Sequence, residues 1–255
     1  MGILDQFRLD GKTAIVTGCS RGLGQGIALA LAEAGADIFG VGQTSEAAIT
    51  AEMIAKTGKK FKYLCADLAS KEPVKRIIDG AISLSGHVDI LVNNAGIIRR
   101  EDAVDFSEAD WDDVINVNLK TLFFLSQAAA REFIRQKSGG KIINIASMLS
   151  FQGGIRVPSY TAAKGGVRTL TMLMANEWAK YNINANAIAP GYMATDNTEA
   201  LRNDPSRSEA ILDRIPAGRW GTPSDVAGAA VFLASQAASY INGYTLAVDG
   251  GWLAR

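Results

Sequence analysis

Histidine and cysteine are scarce in this chain of 255 residues, which holds one histidine, His87, and two cysteines, Cys19 and Cys65. A single histidine excludes a multi-histidine metal site, and it argues against a histidine catalytic base, because a lone histidine seldom acts without a local partner. Two cysteines are too few for a disulfide framework or a structural zinc site. We therefore expect reduced thiols, no bound metal, and a surface or strand-edge position for His87.

The chain also lacks excess charge and long apolar runs. Its 26 Lys and Arg residues balance 26 Asp and Glu residues, so nothing indicates a nucleic-acid partner and a small molecule is the expected one. The apolar runs end well short of the roughly 20 residues that a membrane-spanning helix needs. Because the N-terminus also lacks the pattern of a signal peptide, we expect a cytoplasmic protein with no membrane partner.

What the chain does contain is a regular alternation of short apolar runs and amphipathic stretches. The apolar runs predict strands at 13–17, 38–41, 62–65, 90–92, 141–145, 184–188 and 245–248. The stretches between them predict helices at 22–34, 45–56, 73–84, 108–136 (two in sequence), 159–180 and 224–234. Apolar strands separated by helices indicate an α/β fold, a Rossmann-like doubly wound parallel sheet, with residues 1–255 in a single domain.

One late stretch, residues 195–208, is long and polar. A mobile polar segment beside a cleft is typical of a lid, so we predict a substrate lid at about residues 193–215. A plain surface excursion is the alternative.

A glycine-rich sequence, TGCSRGLG, occupies residues 17–24 at the predicted junction of the first strand and the first helix. Glycine lets the backbone turn tightly and approach a pyrophosphate, whose charge is favoured by the free N–H groups of a helix N-terminus. The spacing is GxxxGxG rather than GxGxxG, and a purely structural turn is the alternative. The position on the first βα unit favours dinucleotide binding.

A second motif, NNAG at residues 93–96, follows the fourth predicted strand directly. Ligands of an open parallel sheet lie beyond the carboxyl ends of its strands, so NNAG is a candidate ligand-binding turn. A turn that only closes the strand is the alternative, because Asn and Gly tolerate left-handed geometry.

Three residues after the fifth predicted strand suit proton transfer at an alcohol carbon. Ser147 follows that strand, and Tyr160 and Lys164 lie one turn apart on a predicted helix. A lysine ammonium beside the tyrosine would lower the tyrosine pKa from about 10, so that the phenolate exchanges a proton with an alcohol as hydride leaves. Ser147 would hydrogen-bond the reacting oxygen. A chance Tyr–Lys pair is the alternative.

Together, TGCSRGLG, NNAG, Ser147, YTAAK and the PG of residues 190–191 resemble the short-chain dehydrogenase/reductase family over essentially the whole chain. The resemblance implies an NAD(P)-dependent alcohol dehydrogenase or ketoreductase whose catalytic residues are Asn118, Ser147, Tyr160 and Lys164. It also implies contacts of the dinucleotide with Gly18, Ser20, Arg21, Gly22, Leu23, Gly24, Gln43, Asp67, Leu68, Asn94, Ala95, Gly96, Tyr160, Lys164, Ile188, Pro190, Gly191 and Thr195.

Longer stretches, among them NNAGIIRREDAVDFSEADWDDV and RIPAGRWGTPSD, resemble the sugar-acid dehydrogenases of that family. This implies hydride transfer at a hydroxyl or keto carbon of a deoxy-keto-gluconate-type sugar acid, in hexuronate and pectin breakdown. Arginine suits carboxylate recognition, although a surface salt bridge is the alternative for each arginine here. The substrate candidates are Arg99, Arg100, Ser147, Gln152, Arg156 and Met193, with Trp220 as a weaker one.

The choice between NAD and NADP depends on the residues after the second strand, VGQT at 41–44. An acidic residue at this place usually binds the 2′-hydroxyl of NAD, and a nearby arginine accommodates the 2′-phosphate of NADP. Neither stands here, although Arg21 lies in the glycine-rich turn. The resemblance to the sugar-acid dehydrogenases favours NAD, and use of NADP stays open.

Other functions share these motifs. A gluconate 5-dehydrogenase and a 3-oxoacyl carrier reductase are the enzymatic alternatives, and a non-catalytic dinucleotide sensor is the third, against which the complete catalytic set argues. The resemblance also implies a homotetramer, in which the helices at 108–136 and 159–180 and the C-terminal GGWLAR approach other subunits.

Overall fold

Seven strands form one parallel sheet at the centre of the computed structural model, which describes residues 2–255, in the order β3-β2-β1-β4-β5-β6-β7. They are β1 (Thr13–Thr17), β2 (Asp37–Gly42), β3 (Phe61–Cys65), β4 (Ile90–Asn93), β5 (Gly140–Ile145), β6 (Ile183–Pro190) and β7 (Thr245–Val248). Ile15 of β1 lies opposite Phe39 of β2 on one side and Leu91 of β4 on the other. Because the strand order reverses between β1 and β4, the carboxyl ends of these strands flank the crevice in which such sheets bind ligands.

Helices cover both faces of this sheet. They are α1 (Gly22–Glu33), α2 (Ala48–Ala55), α3 (Val74–Ser85), α4 (Glu108–Ile115), α5 (Leu122–Gln136), α6 (Pro158–Trp178), α7 (Glu199–Asn203), α8 (Pro205–Arg214) and α9 (Pro223–Ala234). Ile77 of α3 and Val167 of α6 join the core on one face, and Ile27 of α1 and Val226 of α9 join it on the other. Burial from both sides explains why the strands read as continuous apolar runs, and the predicted doubly wound α/β fold is confirmed. Within residues 2–255, no helix combines the length and the apolar character that crossing a bilayer requires.

The predicted helical stretch at 108–136 is one run whose hydrogen-bond register changes in its middle. α4 begins after Ser107, whose side chain accepts a hydrogen bond from the backbone N–H of Asp110. A π-helical segment, Asn116–Thr121, follows α4 and leads directly into α5. Such segments occur frequently at functional sites, and this one carries Asn118.

The polar stretch predicted as a lid contains two short helices, α7 and α8. Asp204 caps α8 by accepting a hydrogen bond from the backbone N–H of Arg207 at 3.1 Å, and Pro205 occupies the first helical position. On the inner side of α8, Ile211 packs in a small core with Trp252. The stretch is therefore polar because one side of each helix faces solvent.

Candidate active site

The glycine-rich turn connects β1 to the N-terminus of α1. Gly18 and Gly22 have φ angles of +66° and +57°, in the left-handed region that favours glycine. A Cβ on Gly24 would lie 2.1 Å from the carbonyl oxygen of Gly18, so a larger residue does not fit there. No side chain caps α1, which leaves the N–H groups of its first turn available to an anion. The turn therefore fits the pyrophosphate of a dinucleotide.

The base of the predicted lid touches this turn. Arg21 Nη1 lies 3.1 Å from Asp196 Oδ2, and both side chains are exposed. A Cβ on Gly22 would lie 3.7 Å from Thr195 Cγ2. Of the remaining predicted dinucleotide residues of the motif, Ser20 lies in the turn and Leu23 in the first turn of α1.

The NNAG turn fastens the end of β4 to the end of β1. The backbone N–H groups of Asn94 and Ala95 each donate to Thr17 Oγ1 at 3.0 Å. Asn94 Nδ2 donates to the carbonyl oxygens of Thr17 and Gly18 at 2.9 and 3.2 Å. These contacts give NNAG a structural role in shaping the glycine-rich turn. Thr17 is not among the predicted site residues, although its place at the head of TGCSRGLG signals it.

Gln43 and Asp67 meet beyond the ends of β2 and β3. Gln43 Nε2 donates to Asp67 Oδ1 at 2.8 Å, and the next residue, Leu68, is buried. The side chain that follows β2 is thus a neutral amide held by a carboxylate.

Ser147, Tyr160 and Lys164 come together at the carboxyl end of β5. Ser147 caps a 3-10 turn at residues 148–150, and it lies close enough to Tyr160 to lower the pKa of that hydroxyl. Tyr160 is half-buried on α6, and Lys164 Nζ lies 5.5 Å from the centre of its ring. The Lys164 side chain is buried, and its Nζ donates to the carbonyl oxygen of Ile145 at 2.5 Å. The structure therefore brings the three predicted residues into one cluster.

The pKa of Tyr160 differs from the prediction. Burial raises it, and Ser147 and the positive charge of Arg100 oppose that rise without cancelling it. The predicted lowering by Lys164 is wrong in this arrangement, because the ammonium is directed at the Ile145 carbonyl. Burial also lowers the pKa of Lys164 itself, to about 8.

Asn118 is fully buried in the π-helical segment, and both polar atoms of its side-chain amide hydrogen-bond the backbone of one residue, Ile97. Its Oδ1 accepts from the backbone N–H of Ile97 at 2.9 Å, and its Nδ2 donates to the Ile97 carbonyl at 2.8 Å. A Cβ on Gly96 would lie 3.2 Å from Asn118 Oδ1. Asn118 thus holds the chain that leaves the NNAG turn.

The three predicted substrate arginines have different surroundings. Arg99 makes ion pairs with Asp110 and Asp113 of α4, each at 3.2 Å. Arg156 makes ion pairs with Glu101 and Asp102 at 3.3 and 3.1 Å. These contacts favour the salt-bridge alternative for both. The positive charge of Arg100 lowers the pKa of the Tyr160 hydroxyl.

Some of the other predicted residues lie at the carboxyl edge of the sheet, and others are packed in the protein. Pro190 ends β6, and Gly191 donates its N–H to the Val248 carbonyl at 2.9 Å, so both lie at the carboxyl edge of the sheet with Ile188 of β6. Gln152 is half-buried beyond the Ser147 turn. The side chain of Met193 is buried in the main core against Gly221, which favours packing over contact with the sugar acid. Trp220 packs edge-on against Tyr192, at 5.5 Å between ring centres.

His87 lies apart from these residues, whereas Cys19 is part of the glycine-rich turn and Cys65 Sγ donates to the carbonyl oxygen of Gln43 at 3.5 Å. His87 precedes β4 at the amino edge of the sheet, half-exposed, with Nδ1 2.7 Å from Asp89 Oδ2. Cys19 is buried, Cys65 is exposed, and both are free thiols. Residues 2–255 contain no group of three or more His, Cys, Asp and Glu side chains placed to hold a metal ion.

Comparison with known proteins identifies the family. A family model described as enoyl-(acyl carrier protein) reductase matches residues 18–253. The chain is also 65% identical to the 2-dehydro-3-deoxy-D-gluconate 5-dehydrogenase of Escherichia coli (strain K12) over 253 residues, which cover 99% of this chain and 100% of the relative. The chain belongs to the short-chain dehydrogenase/reductase family.

Two solved structures of family members match the fold over nearly the whole chain. A candidate 2-deoxy-D-gluconate 3-dehydrogenase from Agrobacterium tumefaciens with bound NADP is 56% identical, with a TM-score of 0.93 and coverage of 98% of this chain and 99% of that one. A gluconate 5-dehydrogenase from Burkholderia cenocepacia in complex with NADP and tartrate is 43% identical, with a TM-score of 0.94 and full coverage of both chains, at 100%.

Proposed function

We propose that this protein transfers a hydride between a nicotinamide dinucleotide and a hydroxyl or keto carbon of a deoxy-keto-gluconate-type sugar acid, as the names of its relatives describe for them. The observation that carries the proposal is the cluster at the carboxyl end of β5, in which Ser147 caps the turn after the strand and Lys164 Nζ lies 5.5 Å from the centre of the Tyr160 ring. Ser147 follows β5 and the glycine-rich turn follows β1, and both strands neighbour β4. Strand spacing separates them by about 10 Å in the plane of the sheet, within reach of one dinucleotide.

A bound dinucleotide would supply the hydride donor or acceptor, and Tyr160 handles the proton. Because burial raises its pKa, the Tyr160 hydroxyl stays protonated near neutral pH and is ready to donate to a keto oxygen. In the oxidation direction, the hydroxyl proton of the substrate moves to the fraction of Tyr160 that is phenolate, a fraction that increases with pH and that the positive charge of Arg100 stabilises. Ser147 hydrogen-bonds the reacting oxygen.

Lys164 and Asn118 position the groups around Tyr160 and Ser147. The Lys164 ammonium has three N–H donors, of which the Ile145 carbonyl takes one, so the others remain for the ribose of the dinucleotide. Asn118 fixes the backbone of Ile97 and thereby the wall of the crevice after the NNAG turn. We assign to Asn118 a positioning role in the proton relay.

The dinucleotide in this proposal is NAD, and NADP is the alternative. The carboxylate of Asp67, next to Gln43, disfavours the extra negative charge of a 2′-phosphate. The NADP named for two solved relatives supports the alternative.

Initial rates with three substrates and both dinucleotides test the proposal. We expect the highest kcat/KM with 2-dehydro-3-deoxy-D-gluconate, above that with gluconate or a 3-oxoacyl thioester. A higher value with either of the last two substrates reassigns the activity to that class. Dinucleotide binding without turnover of any member of the panel would instead favour a sensor.

The enzyme is also expected to assemble with other copies of this chain. We infer a homotetramer, supported by apolar side chains that α4 and α6 expose, such as Trp111 and Met172.

The exposed free thiol of Cys65 suits a reducing, cytoplasmic compartment. The sugar acids named for the relatives support a place in pectin breakdown.

A further inference from the structure

Arg202 lies in α7, within the predicted lid, and the sequence does not single it out. Its Nη2 donates to the carbonyl oxygen of Thr195 at 3.2 Å. Its Nε is buried and has no acceptor among the described residues. Arg202 also makes no ion pair within residues 2–255, whereas Arg21, Arg99 and Arg156 each do.

The buried Nε–H of this guanidinium is the donor that is short of an acceptor. The guanidinium carries five N–H donors and stays charged at any pH at which the protein is folded. Leaving a buried donor unpaired destabilises a protein, and more so when the donor is charged. Such a group in a folded protein therefore points to an acceptor that arrives with a ligand.

Two contacts locate Arg202 relative to the reacting residues. Its neighbour Leu201 packs against the small core that contains Met148, which directly follows Ser147. Its hydrogen-bond partner Thr195 lies against the glycine-rich turn. Arg202 thus belongs to the part of the lid that reaches both the Ser147 turn and the dinucleotide turn.

We propose that Arg202 binds the carboxylate of the sugar acid, so that the lid itself recognises the acid group. The inference rests on the proposed function. One edge of a guanidinium matches the two oxygens of a carboxylate, and the unpaired Nε–H lies on such an edge. A dinucleotide phosphate has the same acceptor chemistry, but the uncapped first turn of α1 already offers N–H groups to it.

The other arginines support this assignment. Arg99 and Arg156 are each held by two acidic side chains, and Arg100 acts on the Tyr160 hydroxyl, where charge develops. An acid group several carbons from the reacting carbon needs a cation of its own, and Arg202 supplies one from the lid.

The test measures binding of 2-dehydro-3-deoxy-D-gluconate to the full chain saturated with reduced dinucleotide, a pair that does not undergo the proposed reaction because C5 of the acid already bears a hydroxyl. Calorimetry compares the wild type with Arg202→Gln and Arg202→Lys. Arg207→Gln is the matched control, because it removes an exposed positive charge from the same lid. The uncharged primary amide of the acid is a second ligand, and dinucleotide Kd values are measured in parallel.

We expect Arg202→Gln to weaken binding of the acid by roughly 10- to 100-fold, Arg202→Lys to lose less, and Arg207→Gln to change it by less than about 2-fold. The amide should bind the wild type and Arg202→Gln alike. An unchanged affinity for the acid overturns the proposal, and so does a loss confined to the dinucleotide, which would assign Arg202 to a phosphate. If Arg202→Gln does not fold, the other two measurements decide. Weaker acid binding by Arg202→Lys and tighter binding of acid than of amide by the wild type support the proposal, and equal affinities in both comparisons overturn it.

The proposed function can fail separately. Acid that binds through Arg202 but is not oxidised by the wild type overturns the proposed reaction and leaves the binding role intact. No binding of the acid to the wild type overturns both.

Discussion

At the residue scale, the hydroxyl of Tyr160 has three features that a structural tyrosine does not need. Ser147 lies close enough to lower its pKa, the charge of Arg100 acts on it, and burial raises its pKa. A phenol at the edge of a crevice gains no packing from these polar neighbours. Their convergence on one oxygen is what general acid–base chemistry requires.

Replacing Tyr160 by Phe removes that oxygen and leaves the ring in place. Turnover of the sugar acid should fall by about 10²- to 10⁴-fold, the usual contribution of a general acid–base group, while the dinucleotide Kd changes by less than about 2-fold. Initial rates and fluorescence titration measure the two effects. Tyr181→Phe, at an exposed tyrosine after α6, is the control and should keep wild-type turnover. Wild-type turnover in Tyr160→Phe would contradict the assigned role.

Lys164 makes the stability of the protein depend on pH. Burial lowers its pKa from 10.5 to about 8 in the folded protein, whereas the unfolded chain keeps the ordinary value. Between these two pH values the unfolded state binds the additional proton. The contribution of Lys164 to stability is therefore lowest below about pH 8 and rises as the pH increases toward 10.5.

Lys164→Met removes this titration. Relative to Lys164→Met, the free energy of unfolding of the wild type should increase by on the order of 3 kcal/mol across that window. Urea unfolding at both ends of the window measures the difference, and Lys62→Met at an exposed lysine should show no such change. A difference that stays constant with pH would show that the Lys164 pKa is not lowered.

Contacts within one helix can be predicted from the sequence, whereas contacts between separate segments cannot. Helical spacing is enough to place Tyr160 and Lys164 on one face, because both belong to the same helix. The partners of Arg99, in contrast, lie on α4, a helix that follows it in the chain but folds back to meet it. The donor geometry of Arg202 depends likewise on Thr195, seven residues away across a turn. Neither partnership leaves a periodic signal in the sequence.

At the element scale, the glycine-rich turn depends on the absence of side chains. Gly24→Ala would place a Cβ 2.1 Å from the Gly18 carbonyl oxygen and 2.4 Å from Asn94 Nδ2, so the turn must shift. We expect the dinucleotide Kd to rise by about 10-fold or more, because the N–H groups that meet the pyrophosphate move with the turn. Gly228→Ala in α9, where a Cβ has open space, is the control. Equal dinucleotide affinity in both variants would remove the turn from the binding site.

Strands were the most predictable elements and the lid the least. β1 and β7 match their predicted ranges, and β1 in particular is an apolar run because it is buried on both faces. The π-helical segment within 108–136 continues α4 and leads into α5 without a Pro or Gly to mark it, so the sequence does not signal it. α7 and α8 cover a small separate core with few apolar positions, which makes their sequence look like a loop.

At the scale of the whole molecule, the sheet order brings the sequence motifs to one edge of the sheet. The helices on its outside expose large apolar side chains, which a single chain does not bury. Trp111 on α4 and Met172 on α6 are 40% and 46% exposed. Sedimentation velocity should give a species of four chains of 27.0 kDa each. Met172→Glu should shift it toward smaller species, and Ile49→Glu on the exposed side of α2 should not. A wild-type monomer would rule out the tetramer.

The most direct test of the account follows the hydride itself. 2-Dehydro-3-deoxy-D-gluconate carrying deuterium on the carbon that bears the 5-hydroxyl is incubated with oxidised dinucleotide and the enzyme, and mass spectrometry locates the label. The account predicts that the deuterium moves to the reduced dinucleotide in the wild type, and that Tyr160→Phe produces at most a trace of labelled dinucleotide. Reduced dinucleotide without the label, or label retained in the oxidised sugar acid, would contradict it.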